Sequence, residues 1–209
     1  MSSLIPNPEF SKLASDEQVE KTARALEASN MQVIVVASGA EARQKALELL
    51  PDGAEVFNAT SRTLDAIGLS DDINKSSRFN SVRNRFSQMD PKIQAGEMRK
   101  LGAGPDYVVG SVHAVTEQGQ VLIASATGSQ LASYVYGAGK VIWVVGTQKI
   151  VANLDEGNRR IYEYSYPLED ARARQVYGVG SNVGKILIVN REAQAGRITV
   201  ILVKENLGF

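Results

Sequence analysis

The chain has 209 residues, 44% hydrophobic and 22% charged, with 23 Lys plus Arg against 23 Asp plus Glu. That length fits one domain able to bury a core without covalent staples. The even charge excludes a protein whose main task is gripping nucleic acid, because neutralising phosphates needs surplus cations.

There is no Cys and only one His, His113, so disulfides, thiolate or multi-histidine metal sites, cysteine-bound clusters and cysteine nucleophiles are excluded. An all-carboxylate Mg²⁺ site stays open, although the sequence shows no tight carboxylate cluster. Met1 to Asn7 has neither a basic start nor a long apolar core, so no signal peptide is read there. The longest apolar runs, such as Val141 to Val145, fall far short of the ~20 residues of a membrane span. The chain is therefore expected in the cytoplasm, away from membranes.

Residues 1–14 read as a loose arm. Ser15, with Gln18 three residues on, has capping-box spacing, and a helix follows to about Ser29 with Val19, Ala23 and Leu26 on one face. Arm and helix, residues 1–30, precede the main α/β unit, residues 31–209. Met31 to Ala37 is a nearly continuous apolar run, which suits a strand covered on both faces. Ser38-Gly39 turns into a helix ending near Leu50, Pro51-Asp52-Gly53 is a turn, and Ala54 to Asn58 is a second strand. Thr60 to Thr63 opens a short helix. The alternation is that of a βαβ sheet.

Residues 70–100 are polar and basic and read as helices. Asp106 to Ser111 and Val121 to Ala124 are strands too close in sequence for a helical crossover, so they are expected to pair antiparallel. Thr127-Gly128-Ser129 starts a helix to about Tyr136. Lys140 to Val145 is the most apolar strand, and Gly146-Thr147-Gln148-Lys149 leads to a long helical stretch, Asn153 to Val176, broken at Pro167. Lys185 to Val189 and Arg197 to Val203 are late strands joined by a hairpin-like loop.

Four strand-to-helix turns carry small polar residues: Ser38-Gly39, Thr60 to Thr63, Thr127 to Ser129, and Gly146 to Lys149. In a parallel sheet such turns gather at the carboxyl ends of the strands, where ligands bind and helix N-termini offer free N–H groups to anions. Ser61, Thr63, Thr127, Gly128, Ser129, Gly146 and Lys149 are the candidate ligand residues; ordinary helix capping accounts for the same pattern. No phosphate-loop or dinucleotide fingerprint is present. The segment Gly110 to Gln120 adds Ser111 to that set. It also holds Glu117, a candidate general base or acyl-accepting nucleophile, and His113, a candidate proton shuttle near neutral pH. A solvated turn and a structural histidine are the plainer readings of those two. Arg78, Arg83 and Arg85 form either a solvated helix face or a hold for an anionic group.

The segment Gly110-Ser111-Val112-His113-Ala114-Val115-Thr116-Glu117-Gln118-Gly119 resembles the signature of the LUD-domain family, the lactate-utilisation proteins. Thr127-Gly128-Ser129, Lys140 to Val151, Pro167 to Arg172, and Gly196 to Gly208 resemble later family segments in order. Ser61 to Leu69 resembles an earlier one. The resemblance spans roughly residues 31–209. It implies a Rossmann-like, mostly parallel sheet with helices on both faces, akin to the sugar-phosphate isomerase and CoA-transferase superfamily. In CoA-transferases of that superfamily a Glu two residues before a Gly forms an acyl anhydride, which Glu117-Gln118-Gly119 resembles. Some relatives carry a cysteine-rich insert near residues 173–184. This chain resembles the branch without it, so iron–sulfur chemistry would belong to partner oxidoreductase subunits.

The expected function is tied to lactate or organic-acid utilisation, with a small anionic metabolite at the strand ends. Two alternatives stay open: a non-catalytic binding or assembly subunit for an iron–sulfur complex, and a transferase- or isomerase-like enzyme using Glu117. A homodimer follows from family habit, and no cofactor is named by the residues.

Overall fold

The computed structural model describes residues 4–209. Its elements in chain order are α1 (Asp16–Ala28), β1 (Gln32–Val36), α2 (Gly39–Glu48), β2 (Glu55–Asn58), α3 (Arg62–Ala66), α4 (Leu69–Lys75), β3 (Asn80–Ser81), α5 (Val82–Ser87), α6 (Ala95–Ala103), β4 (Tyr107–Gly110), β5 (Ala114–Thr116), β6 (Val121–Ser125), β7 (Lys140–Gly146), β8 (Ile150–Val151), α7 (Leu154–Arg160), α8 (Tyr166–Tyr177), β9 (Lys185–Val189) and β10 (Ile198–Val203). Six strands form an all-parallel sheet in the order β1-β10-β7-β4-β2-β3.

Parallel strands are buried on both faces when layers cover them, and β7 and β10 show it. Val141, Trp143 and Val145 enter one apolar cluster, and Ile142 and Val144 enter the other. One face is covered by α2, α3 and α4 through Ala42, Ala46, Leu64, Leu69 and Ile73. The other meets α1 through Val19 and Leu26, and a second sheet through Val115, Val121 and Ile123. This second sheet has the order β8-β5-β6-β9. Its far side carries Ala114, Leu122 and Val151 against Phe10 and Ile161. The molecule is a helix layer, a large sheet, a small sheet and a second helix layer.

The second sheet corrects two pairings expected from spacing. β4 and β6 are not partners, because β2 and β7 occupy both edges of β4. The chain leaves β4 at Ser111, crosses to the second sheet, and forms the antiparallel pair β5–β6 there. β9 and β10 are likewise not a hairpin: β10 lies between β1 and β7, while β9 takes the free edge of β6. The run Met31 to Ala37 forms an edge strand, with Val35 44% exposed. Pro167 stands in the first turn of α8. The change in helical ladder lies upstream, in a π turn at Ile161–Ser165. The described part of the N-terminal arm is tied down: Phe10 is buried, and Asn7 N–H donates to Glu163 O at 2.8 Å. No described helix is long and apolar enough to cross a membrane.

Candidate functional site

Parallel strands deliver their outgoing loops to one edge, and a cavity of about 300 Å³ opens there. Thr60 to Thr63 come from the end of β2, Ser111 to His113 from the end of β4, and Lys149 from the turn after β7. The second sheet and helix layer close the far side with Ser125, Thr127, Ser129, Tyr134, Glu169 and Arg172.

Lys149 is the deepest charged group of this wall, 1% exposed. Its Nζ donates to Thr63 Oγ1 and Ser111 Oγ, both at 3.0 Å. Thr63 spends its own proton on Leu207 O at 3.0 Å, so it is a fixed acceptor for the amine. Among the described residues no carboxylate lies within 4.0 Å of Lys149. Burial, and then the charge of Arg160, push the amine well below the ordinary lysine range.

Arg160 lies behind it with no exposed surface. Its guanidinium donates to Gln148 O at 3.3 Å, to Ser165 Oγ at 3.2 Å, to Phe10 O at 3.4 Å and to His113 O. Burial brings it down only to about 10, so it stays charged at neutral pH. His113 also faces the cavity, and its Nδ1 accepts the Ala124 N–H at 3.1 Å. That bond selects the neutral ring with its proton on Nε2. Burial, and then Lys149 and Arg160, hold its pKa at about 3. The ring so held is neutral around pH 7.

Arg83, half-buried at the start of α5, donates to Asn58 O at 2.8 Å and Thr60 Oγ1 at 2.5 Å. It too makes no ion pair among the described residues, and burial lowers its pKa. The cavity's other cations are neutralised: Arg172 holds Glu169 through two bonds at 2.7 and 2.6 Å, and Arg62 pairs with Asp65 at 3.3 Å. Among the described residues no cluster of three or more His, Asp and Glu side chains could hold a metal.

Of the candidate ligand residues, Ser61, Thr63, Ser111, Thr127, Ser129 and Lys149 share this cavity. Gly128 and Gly146 do not line it, and both have structural reasons to be glycine. Gly128 has φ +87°, which L side chains rarely adopt. A Cβ at Gly146 would lie 2.6 Å from Glu205 O. The Ser38-Gly39 turn also stands apart, its Gly39 N–H taken by Glu205 Oε2 at 2.9 Å.

Glu117 stands outside this group. It sits on the β5–β6 turn, away from the cavity lining, and pairs with Lys21 Nζ at 2.7 Å and Gln18 Nε2 at 3.0 Å, both on α1. Those bonds, to Lys21 first and then to Gln18, lower its pKa. The β-connection faces α1 because the second sheet stacks there, which the loop's composition could not reveal. Sequence reasoning left Arg83 open between two roles and gave Tyr134 and Arg160 none. Arg160 fell only within the helical stretch Asn153 to Val176, and nothing local marks it as buried.

The chain matches the LUD domain over residues 19–203. It is similar to the crystal structure of a DUF162 family protein from Deinococcus radiodurans, with TM-score 0.57 and 14% identity, covering 92% of this chain and 99% of that one. A partial likeness to ribose 5-phosphate isomerase A from Neisseria gonorrhoeae has TM-score 0.32 and 12% identity, covering 68% of this chain and 57% of that one. No curated protein matches the sequence.

Proposed function

The chain belongs to the LUD-domain family, and from that premise we propose that it binds a small anionic metabolite in the cavity at the carboxyl edge of its parallel sheet. One observation carries the reading: Arg83, half-buried in the wall, makes no ion pair among the described residues, and the buried Lys149 amine meets only the Thr63 and Ser111 hydroxyls. Burying cationic groups without a counter-charge is costly. An arriving carboxylate or phosphate offsets that cost, and Arg83 supplies the planar donor geometry such groups favour. The hydroxyls of Thr60, Ser61, Ser111, Thr127 and Ser129 provide neutral donors around it. The family's name suggests lactate utilisation, so lactate, glycolate and inorganic phosphate are the first ligands to test. The reading assigns Glu117 no role in binding.

A thermal-shift titration tests it, since a ligand bound only by the folded state raises stability by mass action, about 2.7 kcal/mol at 100 times Kd. At least one of these anions should raise Tm, and Arg83→Ala should weaken that effect about tenfold or more, the loss of a charge-assisted hydrogen bond being worth roughly 1.5–3 kcal/mol. No shift with any of them, or an unchanged response in Arg83→Ala, would overturn the reading.

A further inference from the structure

Anion binding by itself leaves one buried group unused, the Lys149 amine. We propose that Lys149 is a nucleophile that condenses with the carbonyl group of a small anion to form an imine, a step that rests on the cavity being the anion site.

Its surroundings favour that role. Lys149 follows β7, the strand flanked by β4 and β10 in the large sheet, so its backbone is rigidly placed. Thr63 Oγ1 and Ser111 Oγ fix Nζ at 3.0 Å each, against the cavity. A buried lysine that serves only the fold is met by a carboxylate; here the charged neighbour is Arg160, another cation. Of the two, Arg160 has acceptors for its donors in His113 O, Gln148 O, Phe10 O and Ser165 Oγ, and keeps its charge. An ammonium gives up its proton far more readily than a guanidinium, so of the two the amine is the group from which burial and the neighbouring charge draw the proton. A desolvated lysine beside another cation is an activated amine. Its exposed counterparts are neutral in only roughly one copy per thousand at pH 7.5.

The chemistry balances without a further reactant. The Nζ lone pair attacks the carbonyl carbon, the C–N bond forms, and the C=O pair moves to oxygen, which takes a proton. The carbinolamine then loses that oxygen as water with one proton from nitrogen, leaving C=N. Ser111 fits the relay: its oxygen contacts Nζ, and its own proton has no acceptor among the described residues. Arg83, which makes no ion pair among the described residues and feels Asp65 only at longer range, holds the anionic end. The class is thus a small anion carrying a carbonyl, either a 2-oxo carboxylate or a phosphorylated aldehyde.

Borohydride trapping at pH 7 with peptide mass mapping tests it. One arm uses glyoxylate or pyruvate and the other glyceraldehyde 3-phosphate. Reduction of the imine should leave a stable substituent on Lys149, in preference to exposed Lys12 and Lys75, by about tenfold or more, since each unit of pKa lowering multiplies the neutral fraction tenfold. Label in only one arm identifies the carboxylate or the phosphate class. Glycolate, which lacks the carbonyl, should suppress labelling, and Arg83→Ala should reduce it. If glycolate or phosphate raises Tm but neither arm labels Lys149, the imine proposal falls and the anion reading stands. If no anion binds and no label forms, both fall. Label confined to exposed lysines also overturns the proposal.

Discussion

Two buried basic side chains stand at opposite ends of neighbouring parallel strands, and they are treated differently. Arg197, just before β10 and 5% exposed, donates to the carbonyls of Ala138, Tyr134 and Ser133 at 3.0–3.1 Å and pairs with Glu192 at 2.8 Å. Its acceptors include the backbone of the π turn Ser133–Gly137, so it fastens that turn to the sheet's amino edge. Lys149, just after β7 and 1% exposed, meets two hydroxyls, a cavity and, among the described residues, no acid. A charge that serves the fold is answered within the fold. The basic group at the carboxyl edge has no such answer among the described residues.

The largest expected effect separates these two sites. Arg197→Met strands Glu192, whose side chain is 11% exposed, and uncaps the π turn. Breaking a buried pair by removing one partner costs about 3–5 kcal/mol. Lys149→Met removes a desolvated amine with no partner charge, and its stability should change by less than about 1 kcal/mol or rise. Urea unfolding of both variants checks this, and equal losses would break the comparison.

An acid titration sharpens it. His113 has a folded pKa of about 3, depressed from 6.5. Between those values the unfolded chain binds the extra proton, so stability falls as pH falls, with a slope of up to about 1.4 kcal/mol per pH unit. The upper part of the window, above the carboxylate range, belongs to His113. His113→Asn can still accept the Ala124 N–H, and it should flatten the profile there while leaving neutral-pH stability near that of the parent. An unchanged slope in the variant would remove His113 from the uncompensated cluster. The smallest effect concerns Glu117→Gln, which weakens a partly exposed pair with Lys21. It should cost less than about 1 kcal/mol and leave anion-induced thermal shifts untouched; a lost shift would return Glu117 to the site.

Much of this was legible locally. The apolar run of β7 identified a strand, and the small polar turns after β2 and β7 contain residues that line the cavity, Thr60 to Thr63 and Lys149. Those signals depend on residues a few positions apart. The second sheet was not legible, because β5 and β8 are only three and two residues long and gain partners solely through long-range stacking. That one omission misdirected the β4, β6, β9 and β10 pairings and hid the contact of Glu117 with α1. Arg83 and Arg160 look like ordinary surface arginines in sequence, and only the tertiary packing removes their water.

The account rests on an interior amine left without a counter-charge, and site-resolved NMR titration of the Lys149 side chain measures that directly. With the lysine side chains isotopically labelled and Lys149→Met used for assignment, the Lys149 signal should titrate well below the ordinary lysine value of about 10.4. A Lys149 signal titrating at or above that value would contradict it.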